Sequence, residues 1–202
     1  MKIEELKAYE IKEHRFIEDL NSDSYILRHK KTGARVALLL NDDNNKTFYI
    51  GFRTPNMNST GVAHILEHSV LCGSKLYPIK DPFGEFEKTS VNTFQNAMTY
   101  PDKTIYPLAS CNETDLNNLM HMYLDAVFNP NIYENEMIFR QEGWRYEIDE
   151  NTGDLTINGV VLNEMKGVFS NPDEIFSRNI FDSLYPDTEY GFESGGDPEV
   201  IP

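Results

Sequence analysis

The chain has 202 residues, 33 acidic against 18 basic side chains for a formal net charge of −15, and is 40% hydrophobic, with 12 Phe and 11 Tyr. That charge argues against a phosphate-binding surface, so no nucleic-acid partner is expected, and no apolar run approaches the roughly 20 residues of a membrane span. Two cysteines, Cys72 and Cys111, make no disulfide framework and point to a reducing compartment.

The opening segment from Met1 to Lys7 carries acids and lacks an apolar stretch, unlike a secretory signal or an Arg-rich transit peptide. A cytoplasmic location is the resulting expectation. Strands are predicted over 24–28, 35–40 and 47–52, with polar breaks at 31–33 and 41–46, and the three read as one antiparallel meander. A helix follows, with Ser59 or Thr60 as its cap and Gly73 just past its end. Asp81-Pro82 is an N-cap followed by Pro at the first helical position, which starts a second helix running to about Ser90. A second hairpin spans 92–99 and 104–110 and turns at 100–103.

Beyond it, Leu116, Leu119, Met120, Tyr123, Leu124 and Val127 form a helical stripe capped by Asn112, which marks core. His121 beside this stripe reads as a partly buried polar residue, because an isolated His lacks ligand spacing. Residues 133–142 read as a helix, and 144–158 as a hairpin turning at Asn151-Thr152-Gly153. Helices containing Glu164 and spanning 175–184 complete the ordered pattern, followed from Tyr185 by an extended loop. Grouped hairpins and helices, without regular βαβ alternation, predict an α+β fold with an antiparallel sheet covered by helices. The apolar content suffices for one packed domain over 1–202, burying roughly 70% of its unfolded surface.

The chemistry is concentrated in the first helix. His64, Glu67 and His68 in the order HxxEH fall within about a third of the helical circumference, with Val62, Ile65, Leu66 and Val70 opposite. A solvated face normally recruits long charged side chains, yet no Lys, Arg or Gln occurs between Arg53 and Lys75. Two imidazoles one turn apart suit Zn²⁺, which in a catalytic site takes a third protein ligand and keeps an open position. Glu67 beside them is placed to act as general base. This inverted order is the inverzincin signature. For the third ligand, Glu164 is the candidate from pattern, because it lies in the apolar stripe of Val161, Met165 and Val168, where a carboxylate needs a partner. Glu142, Glu147 and Glu174 remain open alternatives.

The run from His64 to Ser74, with Tyr77-Pro78 and Asp81-Pro82-Phe83, resembles the pitrilysin/insulinase superfamily of zinc peptidases, in its presequence-protease branch. Asn96-Ala97-Met98-Thr99, Gln141 to Arg145, Asn163 to Gly167 and Ser194 to Pro198 match further blocks in order. The resemblance implies that Glu164 is the third zinc ligand and that Asn96, Ala97 and Met98 lie on a strand binding an extended oligopeptide by β-augmentation. It implies a zinc endopeptidase acting on internal bonds of unfolded peptides. Members of the branch are four-domain chains whose halves close around a peptide, so the chain would be a truncated N-terminal catalytic domain. The remainder of the polypeptide, including an Arg and a Tyr from its C-terminal half, would be its partner. Net acidity suits basic targeting peptides, and equally serves solubility. Two other readings are a noncatalytic scaffold of the kind found among paired superfamily subunits, and a thioether lyase of the S-ribosylhomocysteinase type with Cys111 as third ligand.

Overall fold

The computed structural model describes residues 3–202, so Met1 and Lys2 of the opening segment lie outside it. The chain forms two compact units, one up to Asn44 and one from Asn45. In the first, β1 (Tyr9–Ile17), β2 (Ser22–His29) and β3 (Arg35–Leu40) form an antiparallel sheet with β2 in the centre. A bulge interrupts the β1–β2 register between Ile11 and Glu13. The predicted 24–28 and 35–40 strands pair with each other, from Asp23↔Leu40 to Arg28↔Arg35. The third strand of the expected meander does not belong to this sheet, and β1 takes that place. The segment 9–17 has Tyr9, Ile11, Phe16 and Ile17, but Lys12 to Arg15 interrupt them with four consecutive polar residues, which breaks the alternation that signals a strand.

The second unit begins with β4 (Lys46–Arg53), which pairs along its whole length with β7 (Lys103–Ser110). β5 (Phe94–Gln95) and β6 (Met98–Thr99) pair with the other side of β7. The expected 92–99 strand is thus split at Asn96-Ala97. There the Asn96 side chain accepts from Ala97 N at 2.9 Å, and the Tyr123 hydroxyl donates to Asn96 O at 3.0 Å. β7 is the buried centre of the sheet, and α3 (Glu113–Phe128) packs on it through Leu116, Leu119, Met122 and Tyr123 against Tyr106 and Leu108. Its cap is as predicted, with Asn112 accepting from Asp115 N at 3.0 Å. Burial pushes the phenols of Tyr106 and Tyr123 above their usual range. His121 is exposed rather than partly buried, and it shares a hydrogen bond of 2.9 Å with the Tyr77 hydroxyl.

Four more helices surround this core or extend from it: α1 (Val62–Val70), α2 (Pro82–Thr89), α4 (Glu136–Glu142) and α5 (Val160–Val168). Asp81 caps α2 as predicted, accepting from Gly84 N at 2.8 Å. The predicted 144–158 hairpin appears as β8 (Arg145–Ile148) and β9 (Leu155–Asn158), with Gly153 in the left-handed region. The last helix, α6 (Pro172–Leu184), follows an Asn171 cap. A second core joins Ile65 of α1 to Val161, Leu162 and Met165 of α5 and to Ile201. The α+β class, with antiparallel sheets and covering helices, is therefore the observed one. No helix among the described residues is long and apolar enough to cross a membrane.

The cap of α1 departs from expectation. Gly61 occupies the N-cap with φ +68° and makes no side-chain cap bond. Ser59 instead binds the chain's last segment: its hydroxyl accepts from Glu193 N at 3.1 Å and its carbonyl from Asp197 N at 2.8 Å. Gly61 faces Gly195 and Gly196 so closely that a Cβ would lie 2.8 Å from the Gly195 carbonyl oxygen. Gly61→Ala is therefore expected to destabilise the protein by about 1–2 kcal/mol from the left-handed backbone alone, with steric cost added. Thermal unfolding checks this; an unchanged melting temperature would contradict the close packing.

Candidate metal centre

The buried side of α1 is its polar side. His64, Glu67 and Ser69 are buried together with Ile65, whereas Val62 and Leu66 of the expected apolar face are 55% and 43% exposed. Periodicity alone assigns the apolar residues inward, and tertiary context reverses part of that assignment. α1 lies against β6, β7, α4 and α5, which turns the motif toward residues from each of those elements.

The two imidazoles converge on one carboxylate. His64 Nε2 lies 3.7 Å and His68 Nε2 3.5 Å from the same Glu164 Oε2. Two ligands held at about 2.0–2.1 Å by a tetrahedral cation lie roughly 3.4 Å apart. The observed separations are long for hydrogen bonds and have the length expected across a metal. Among the described residues, His64, His68 and Glu164 form the cluster able to hold a metal ion, their ligand atoms all within 4.8 Å of one another.

Glu164 is not buried in an apolar stripe as the sequence suggests; its side chain is 47% exposed and opens into the site. The helix carries Val161, Leu162 and Met165 inward and leaves Glu164 at the rim. Of the alternatives, Glu147 pairs with Arg145 and Asn158, and Glu174 is exposed on the first turn of α6. Cys111 is exposed and its thiol faces Asn45. Glu142 does reach the site, but at the far nitrogen of His68.

The other nitrogens are held from behind. His64 Nδ1 lies 2.9 Å from the Gly195 carbonyl oxygen. His68 Nδ1 lies 3.4 Å from Glu142 Oε2. Each contact suits a proton on Nδ1 and a lone pair on Nε2. Burial opposes the charged form of His68, but the hydrogen bond to Glu142 and the charges of Glu164, Glu67 and Glu142 outweigh it, and its pKa lies above the usual range. Burial likewise opposes the charge on Glu142, yet hydrogen bonds from His68, Gln141 and Cys72 hold its pKa below the usual carboxylate value. Neither Glu142 nor Gly195 is placed at the site by spacing, because one is 74 residues from His68 and the other 131 residues from His64. The signal present was their membership in the ordered blocks Gln141 to Arg145 and Ser194 to Pro198.

Glu67, 6% exposed, accepts on Oε2 from the Thr99 hydroxyl at 2.6 Å. It lines an open cavity of about 480 Å³ together with His64, His68, Glu164, Gly195 and the 96–100 segment. Asn96, Ala97 and Met98 thus stand on one wall, with Met98 on the outer side of β7 at the sheet edge.

The fold is that of pitrilysin: it matches the crystal structure of pitrilysin with a TM-score of 0.61 at 19% identity, over 96% of this chain and 19% of that one. A protease from Helicobacter pylori matches with a TM-score of 0.64 at 19% identity, over 85% and 38% of the two chains. The chain belongs to the insulinase family, peptidase family M16, whose model matches residues 47–188. It is 58% identical to protein HypA of Clostridium perfringens over 92% of this chain and 19% of that protein. It is 52% identical to presequence protease 1, chloroplastic/mitochondrial, of Arabidopsis thaliana over 93% and 17%, and 47% identical to the mitochondrial presequence protease of Drosophila melanogaster over 100% and 20%. The chain spans about a fifth of the length of these relatives.

Proposed function

We propose that the chain carries the zinc centre of an endopeptidase that hydrolyses internal bonds of unfolded oligopeptides. The observation that carries this reading is the convergence of His64 Nε2 and His68 Nε2 on Glu164 Oε2, at 3.7 and 3.5 Å, beside the buried Glu67. His64, His68 and Glu164 would hold the zinc. When bound, zinc supplies Lewis acidity for the scissile carbonyl and for water.

This chain's own residues do the rest. Thr99 occupies one oxygen of Glu67, which leaves the other to take a proton from the attacking water and return it to the leaving amine. The sheet edge at Asn96, Ala97 and Met98 would bind an extended peptide through main-chain hydrogen bonds, so many sequences would be accepted. The remaining polypeptide would complete the substrate chamber, and the two reduced cysteines favour a cytoplasmic setting. Purified full-length protein is expected to carry equimolar zinc and to lose peptide hydrolysis when treated with phenanthroline, with recovery on adding zinc. Undiminished hydrolysis by metal-free protein would overturn this reading.

A further inference from the structure

Glu142 is a buried carboxylate, 5% exposed, that the proposed reaction does not use. Among the described residues no Lys or Arg forms an ion pair with it; its ionic partner is His68. The rest of its shell is polar: Gln141 Nε2 donates to Oε1 at 2.7 Å. Burying an anion is unfavourable without such a shell. The placement is built into the backbone, because Glu142 ends α4 and the next residue, Gly143, has no side chain to hold α4 off Ile65 of α1.

We infer that Glu142 is a positioning residue of the metal centre: its Oε2 accepts the Nδ1 proton of His68, fixing the ring's plane and tautomer so that Nε2 points at Glu164 with its lone pair free. The two histidines are then held unequally, His64 by the neutral Gly195 carbonyl and His68 by an anion. An anionic acceptor makes the opposite nitrogen a stronger donor to a cation, so Glu142 tunes affinity as well as geometry. This inference rests on the zinc reading proposed above.

The test compares full-length wild type, Glu142→Ala and Glu142→Gln by zinc competition against a chromophoric chelator and by the absorption bands of the Co²⁺-substituted proteins. Circular dichroism of the metal-free proteins monitors folding. Glu142→Ala is expected to bind zinc roughly 10- to 100-fold more weakly. Glu142→Gln, which keeps an acceptor oxygen but not the charge, is expected to show a smaller loss and shifted Co²⁺ bands. If Glu142→Ala fails to fold, Glu142→Gln alone decides. Folded variants with wild-type zinc affinity and unshifted bands would overturn the inference, even if they melt at lower temperature. A wild type that binds no zinc would instead overturn the reading on which the inference rests.

Discussion

Glu67→Gln in the full-length protein is expected to lower kcat for peptide hydrolysis by roughly 10²- to 10⁴-fold, the range typical of a general base. Gln is nearly isosteric, and its amide oxygen can still accept from Thr99, so the 2.6 Å hydrogen bond survives. His64, His68 and Glu164 are untouched by the change. Zinc content, measured by elemental analysis, is therefore expected to remain at the wild-type level. Retained turnover would remove Glu67 from the role of base, and loss of zinc would show instead that it supports the metal.

Glu164→Ala separates the candidate third ligands. The carboxylate is 47% exposed, so its removal is expected to change the folding stability of the metal-free protein by no more than about 0.5 kcal/mol. Zinc affinity is expected to fall by more than the roughly 100-fold that outer-shell partners are worth, because a direct ligand is lost. Hydrolysis falls with it. Cys111→Ala, at an exposed position facing Asn45, is expected to leave both unchanged. The reverse pattern would favour the lyase reading, and competition titrations of the two variants against one chelator distinguish them.

The elements most legible in the sequence were those whose signals are local. The caps at Asp81 and Asn112 act on backbone groups three residues away, and both appear as read. The α3 stripe and the turn at Gly153 are of the same kind. Strand partnership was less legible. β4 follows β3 in sequence yet pairs with β7, because pairing is decided by long-range burial and not by neighbourhood. At the site, the HxxEH spacing brought His64, Glu67 and His68 to one side of a helix, but of the apolar residues opposite them Val62 and Leu66 are exposed. Helical periodicity reports which residues share a face and is silent on which face meets the protein. Glu164 does lie beside the histidines, but the reason read from the pattern does not hold, since it is not buried. The contacts of Glu142 and Gly195 required the tertiary fold.

The seam between Ser59, Gly61 and the 193–197 segment has a temporal meaning. His64 meets a carbonyl 131 residues downstream. During synthesis, the HxxEH turn leaves the ribosome long before Gly195 exists, and closing so large a loop is a late, non-local event. A nascent chain therefore carries His64, Glu67 and His68 before the carbonyl that meets His64 exists.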